Sequence, residues 1–236
     1  MSQSSDAAQV TRHFAAVATP LYYAALLGLS TITKLLLEQG SPIDAKGGRY
    51  GNALQAASLG GHGQVAKMLL ASKANVNAQG GPYGNALHSA LGEGHEAMVK
   101  VLLAGGADIQ GLDAQLKTGM HHAVNNAGCK PSLVSLLLNR DAPTNTLDVD
   151  NMKPLHYNVK FGHRTVAEML FARGISINAG VHRKTWHPKT LGQHTNYEES
   201  PSEPLPQPTI RPAGLTQLHF VVLTGNPVMT KFLLQH

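Results

Sequence analysis

The stretches NALQAASLGGH (residues 52–62) and NALHSALGEGH (residues 85–95) decide the fold, because they are one pattern written twice, 33 residues apart. TPLYYAALLGL begins one period earlier at Thr19, and TGMHHAVNNAG one period later at Thr118. Leu21, Leu54, Leu87 and Met120 then hold one position. Two further copies, KPLHYNVKFGH around Leu155 and TQLHFVVLTGN around Leu218, follow at intervals of 35 and 63, so residues have been inserted before each. A fixed period of this length marks a chain of small stacked units, none of which can bury its own apolar face.

Within a period each position has a physical role. Thr19, Asn52, Asn85, Thr118 and Thr216 offer a side-chain oxygen where a helix begins with unpaired N–H groups. Pro20 and Pro154 follow at the first helical position, where a missing N–H costs nothing. Ala24, Ala25, Ala57, Ala90 and Ala123 keep this first helix thin, and Gly28, Gly61, Gly94 and Gly162 are expected to end it in the left-handed conformation. A second helix carries Leu35-Leu36-Leu37, Met68-Leu69-Leu70, Val101-Leu102-Leu103, Leu136-Leu137-Leu138, Met169-Leu170-Phe171 and Phe232-Leu233-Leu234, and is expected to bury them. The fourth of these clusters sits two residues late, after extra residues near Gly128-Cys129-Lys130-Pro131. Gly40, Gly106 and Gly174 close the second helix, whereas Lys73 and Asp141 stand at that glycine site. Asn158 replaces the small alanine of the fifth unit, which is expected to pack less tightly.

This pattern resembles the ankyrin repeat, over roughly residues 19–181 and 213–236. The YGNALQAA and YGNALHSA variants are similar to those of ankyrin arrays in filamentous fungi, often attached to nucleotide-binding signalling proteins. The resemblance implies an all-α solenoid of helix-turn-helix units with β-hairpin-like fingers. It also implies a binding surface on the concave face, built from finger tips and the ends of first helices. Carried onto this chain, that surface comprises Arg49, Tyr50, Pro82, Tyr83, Gln115, Leu116, Asp150 and Met152 on the fingers. At the first helices it comprises Leu26, Leu27, Leu59, Glu93, Asn125, Asn126, Lys160 and Phe161. Arg49, Tyr50, Tyr83 and Phe161 lead the set, since Tyr and Arg recur among binding hot spots; Tyr50 and Tyr83 share one repeat position and could equally serve to pack adjacent fingers.

Outside the repeats, residues 1–18 form an N-terminal extension or partial cap, with Val10 to Val17 expected as a short helix over the first unit. Residues 182–212 hold six of the thirteen prolines and are read as a disordered insertion, and residues 213–236 as an incomplete sixth unit. The chain stops within a second helix, which suggests a piece of a longer array, or an open apolar end that associates end to end.

Composition narrows the function. Charged residues make up 14% and the net charge is +5 without any long basic run, so nucleic acid is not the expected partner. No stretch supplies the roughly 20 apolar residues of a membrane span. Cys129 is the single cysteine, which fits a reducing compartment, the cytoplasm or the nucleus. No P-loop, GxGxxG or GxSxG motif is present, and Cys129 has no partner pattern for a nucleophile. The resemblance explains most of the thirteen histidines. His88, His121, His156 and His219 fill one repeat position, and His62, His95 and His163 follow the first glycine. Spread one per unit, they are not expected to converge on a metal ion. His182, His187 and His194 lack a nearby cysteine and make a poor zinc site. No catalytic residue, cofactor or metal is assigned. The expected role is a protein-interaction scaffold or adaptor; the alternatives are a sensor fragment of a larger NTPase-type receptor, and a metal-binding or enzymatic protein using the insertion.

Overall fold

The computed structural model describes residues 18–125 and 128–175, together with Lys231. Among these residues lie ten helices in five pairs. They are α1 (Pro20–Leu26) with α2 (Ser30–Glu38), α3 (Ala53–Leu59) with α4 (Gly63–Ala71), and α5 (Ala86–Gly92) with α6 (Glu96–Ala104). The fourth and fifth pairs are α7 (Gly119–Val124) with α8 (Pro131–Leu138), and α9 (Pro154–Phe161) with α10 (Arg164–Ala172). The proposed N-terminal helix, the insertion, the sixth unit with Thr216, Leu218 and His219, and Asn126 fall outside the described residues.

Helices of six to nine residues are too short to persist alone in water. Their starts are therefore fixed by caps. The Thr19 hydroxyl accepts from the Tyr22 amide (3.2 Å), and Asn85 Oδ1 from the His88 amide (2.8 Å). Asn52 forms a closed box with Gln55, in which each side-chain oxygen accepts from the other residue's amide, at 2.9 and 2.8 Å. In the fifth unit Lys153 brings no oxygen; Pro154 takes the first helical position, and His156 Nδ1 accepts from the Lys153 amide (2.9 Å).

The core is a row of equivalent seats. Leu21, Leu54, Leu87, Met120 and Leu155 are each at most 1% exposed and share one cluster with the buried alanines of the first helices. Fully burying such a side chain contributes about 1.5–3 kcal/mol. Successive first helices touch over more of their length than successive second helices do, so the layers fan open on the second-helix side and curve toward the first helices. The expectation that the second-helix clusters are buried is corrected in detail. Among the described residues of these clusters only Leu69, Leu102, Leu137, Leu138 and Leu170 are buried, their neighbours lying part-exposed at the helix flank. In the first unit Leu35 is 49% exposed and Leu36 and Leu37 are half-buried, because α2 has a neighbouring second helix on one side only among the described residues.

Register between layers is held by polar side chains that repeat with the period. His62 Nε2–H donates to the Leu26 carbonyl (3.0 Å) and His95 Nε2–H to the Leu59 carbonyl (2.9 Å), each reaching back to the end of the preceding first helix. A Cβ on Gly28 or Gly61 would collide with these rings. In the fourth unit, where six residues separate α7 from α8, Lys130 Nζ performs the same reach, to the Gly94 carbonyl (2.9 Å). On the opposite edge Asp44 and Asn77, one period apart, accept from the amides of Asn75 and Asp108 in the next unit (3.0 and 2.8 Å). Asn158 is buried and donates to the His163 carbonyl (3.1 Å), while its Oδ1 finds no partner. The contact of α9 with α7 is correspondingly less extensive than those among α1, α3 and α5, and the early end of α7 contributes to this.

The two non-glycine helix ends keep the left-handed geometry, with φ of +72° at Lys73 and +55° at Asp141. Lys73→Gly should therefore stabilise the protein by about 1 kcal/mol, since the side-chain clash outweighs the extra backbone entropy of glycine. Asn85→Ala should destabilise by a similar amount through loss of the cap. Urea denaturation of both variants against the wild type checks the pair, and a Lys73→Gly variant with a lower midpoint would contradict the assignment.

Candidate partner-binding face

The fingers between layers come in two kinds. Residues 47–52 and 80–85 are glycine-rich, and residues 112–118 and 147–153 are organised by an aspartate. In the second kind Asp113 Oδ1 accepts from the Gln115 and Lys117 amides (2.8 Å each), and Asp148 Oδ1 from those of Asp150 and Met152 (2.9 Å each). Both carboxylates thus close turns. The hairpin character is slight, being one isolated antiparallel bridge, Gly80 to Gly84, among the described residues. Three of the four fingers are moored to the first helix of the preceding unit, the Tyr50 amide donating to the Tyr22 hydroxyl (3.2 Å) in the first of them. Gln55 Nε2 lies within 2.9–3.2 Å of the Ala78, Gly80 and Gly84 carbonyls, and His121 Nε2–H donates to the Met152 carbonyl (3.1 Å).

On this frame the sequence-derived residues are spread along one side of the array. Arg49 is exposed, with its guanidinium 5.7 Å from the centre of the Tyr50 ring. Tyr50 is half-buried against Ala18, Tyr22 and Ala56, and its amide donates to the Tyr22 hydroxyl (3.2 Å). Tyr83 is likewise half-buried and donates its hydroxyl to Glu93 Oε1 (2.7 Å). Burial first, then the Glu93 hydrogen bond, pushes the phenol up to about 12. Both tyrosines therefore brace fingers while leaving one edge in solvent. Pro82 and Glu93 are exposed and Asn125 is half-buried. Lys160 Nζ lies 5.5 Å from the Phe161 ring centre, and that ring stacks on His163 at 6.0 Å.

Sequence reasoning passed over several apolar side chains on the same elements. Tyr23 (52% exposed) on α1 accompanies Leu27 just past its end, and Leu112, Leu147 and Val149 accompany Leu116 at the finger tips. The available signal was an apolar residue at finger positions where the two earlier fingers carry Lys46 and Gln79, or Gly48 and Gly81. Cys129 is half-buried, and burial pushes its thiol up to about 11, so it is poorly ionised at neutral pH.

Most of the described histidines bridge layers: His62 and His95 reach back to the preceding unit and His121 forward to the next. His121 and His122 point apart as adjacent helical residues do, His121 toward the next layer and His122 toward the previous one. That divergence produces one convergence the sequence did not reveal. The His122 ring stacks on His88 at 4.9 Å and its Nε2 meets Asp113 Oδ2 at 2.8 Å, so three potential ligands from two units meet.

The structure thus defines a solenoid of two-helix layers with one continuous finger-lined side. A family model described as ankyrin repeats (3 copies) matches residues 8–80 and 87–180, well over half of the chain. The chain belongs to the ankyrin-repeat family, whose repeats are generally protein–protein interaction modules and typically non-enzymatic. No curated protein matches the sequence. Among the described residues no helix is long and apolar enough to cross a membrane.

The buried histidines predict acid sensitivity. His156 is fully buried, and burial, reinforced by the nearby Lys153 charge, lowers it to about 4 against the opposing pull of Asp148. Unfolded chain takes up the proton near pH 6.5 while the folded chain does not, so this contribution is complete above pH 6.5 and is lost as pH falls toward 4. The loss for this residue is on the order of 3 kcal/mol. Urea midpoints at pH 7 and pH 5 should differ, and His156→Gln, which places the residue found at Gln55, should flatten the difference. An unchanged pH dependence in that variant would reject the assignment.

Proposed function

We propose that this chain is an interaction scaffold that holds protein partners along the finger-lined concave side, without chemistry of its own. The single observation that carries this reading is the concentration of exposed anchor groups there. Arg49, Leu116, Leu147, Val149 and Lys160 project from fingers and first-helix ends that are rigidly moored behind them. A rigid base lowers the entropy lost on binding, and scattered apolar and charged tips are what shape-based recognition uses. Charges of both signs occur on this side, Arg49 and Lys160 with Glu93 and Asp150, which favours a protein partner over a polyphosphate. A single cysteine, Cys129, suits work in a reducing compartment.

A surface test should leave the fold intact. Leu116 has φ +58°, and the equivalent position one unit on is Asn151 with φ +56°, so Leu116→Asn removes an apolar tip without straining the backbone. A combined Arg49→Ala, Leu116→Asn, Lys160→Ala variant should keep the wild-type melting temperature and lose the partners that the wild type recovers from cells of its source. Loss of more than about 1 kcal/mol per important anchor is expected. A control carrying Lys67→Ala and Lys100→Ala on the second helices should retain them. If the control loses the partners and the triple variant keeps them, binding lies elsewhere.

A further inference from the structure

His88 on α5, Asp113 in the third-to-fourth finger and His122 on α7 come from two successive units, and their ligand atoms lie within 4.8 Å of one another. All three are buried: His88 is 0%, Asp113 6% and His122 9% exposed. His88 Nδ1–H donates to the Tyr83 carbonyl (3.2 Å), which leaves Nε2 as the bare nitrogen; that buried atom makes no hydrogen bond of acceptable geometry, with the Gly111 backbone as a further polar neighbour of the ring. A buried polar atom left unpaired costs about 1–3 kcal/mol, so its retention needs a reason.

The next layer supplies an internal comparison. Asp148 occupies the position of Asp113, His121 that of His88, and Tyr157 that of His122. There the Tyr157 hydroxyl donates to Asp148 Oδ2 (2.6 Å) and His121 Nε2–H donates to the Met152 carbonyl (3.1 Å), so the helix-to-finger clasp is complete with a tyrosine. The clasp alone thus gives no reason for a histidine at 122. Replacing the tyrosine by histidine adds a second imidazole beside an imidazole whose Nε2 is bare.

We propose that His88, Asp113 and His122 form a binding site for a divalent transition-metal ion of the zinc class, joining the third unit to the fourth. Two imidazoles and a carboxylate are a nitrogen-and-oxygen set that suits zinc, and they leave a fourth position open to water. The His88 Nδ1–H bond to a backbone carbonyl is the outer-shell arrangement that orients a ligating histidine. Burial, then the neighbouring His122, lowers His88 to about 4, so its imidazole is neutral at neutral pH. Burial alone would raise Asp113, but hydrogen bonds from His122 and the Lys117 and Gln115 amides outweigh it and hold the carboxyl below the usual range, as a carboxylate. His122 now donates Nε2–H to Asp113; moving that proton to Nδ1 frees the nitrogen without change of net charge. Tetrahedral ligands about 2.0–2.1 Å from zinc stand roughly 3.3 Å apart, so the widest pair has to close by at most roughly 1.5 Å, within reach of side-chain rotation.

The two variants that test this keep the local structure, because the repeat already uses both residues at these positions. His122→Tyr copies Tyr157, and His88→Gln copies Gln55. Full-length protein stripped with a chelator is titrated with zinc alone against a chromophoric competitor. The wild type should bind one ion at this site and melt at a higher temperature with zinc. Each variant should bind at least about tenfold more weakly and lose the shift in melting temperature. Cobalt in place of zinc should give the intense visible bands of a tetrahedral site in the wild type and not in the variants. Substoichiometric zinc should also perturb the ring proton resonances of His88 and His122 before those of other histidines, a reading that does not depend on how a variant folds. A wild type that binds no zinc, equal binding in both variants, or first perturbation at His182, His187 or His194 would each overturn the proposal.

Discussion

A two-helix unit of 33 residues cannot close a core by itself, and every other feature of this chain follows from that constraint. Each layer contributes one leucine or methionine seat, at 21, 54, 87, 120 and 155, that is covered only when the neighbouring layer arrives with small residues on its first helix. Ala25, Ala57, Ala90 and Ala123 are small for that reason; larger side chains would hold the helices apart and open the seats to water. Stability is consequently shared between neighbours and accumulates along the array. It also has a direction. First helices pack closely and second helices less so, and the array curves toward the side on which the fingers stand.

Apolar packing of this kind is tolerant of sliding, and polar side chains supply the register. The backward reaches of His62, His95 and Lys130, the mooring of fingers by Gln55 and His121, and the Asp44 and Asn77 bridges recur at similar sequence separations. Lys130 is instructive. Where the loop between the two helices lengthens, a histidine ring is replaced by a longer, flexible donor that reaches a carbonyl of the same neighbouring turn. What is conserved between layers is the bond and its place, with the residue type following the local backbone. With register fixed from behind, the finger tips are relieved of structural duty. The side chains of Leu116, Leu147, Val149 and Arg49 stand exposed at those tips.

The architecture was legible because the period writes each structural role several times. The caps, the left-handed glycines, the core seats and the extra residues before α8 all stood in the sequence, and even Lys73 and Asp141 were placed correctly as non-glycine helix ends. Burial of the second-helix clusters was less legible, since hydrophobicity does not say which side of α2 has a neighbour. The finger and first-helix-end positions were legible from the period, while what each side chain does there was not. Tyr50 and Tyr83 look alike in sequence, yet one is held by Tyr22 and the other by Glu93. Tyr22 shares its repeat position with Gln55 and His121, which moor the fingers that follow them, but an aromatic ring at that position did not mark it as a third support.

The His88, Asp113 and His122 cluster was hidden for a related reason. Reading along one helix separates His121 from His122, and reading along the repeat assigns His88 and His121 to the same structural position. Neither reading compares a residue with the one that faces it across a layer boundary. In a solenoid, contacts across that boundary join positions about one period apart, here His88 with His122, a separation of 34. Chemistry that needs several groups at one point is therefore assembled from different repeat positions of adjacent units that face one another across the boundary. The Asp148, Tyr157 and His121 layer shows the version in which each role is filled by ordinary hydrogen bonds. The His88 layer differs in two respects: a histidine stands where that layer has Tyr157, and His88 directs Nδ1–H to the Tyr83 carbonyl of its own unit, so two imidazoles and one carboxylate meet on a backbone that the stack already fixes.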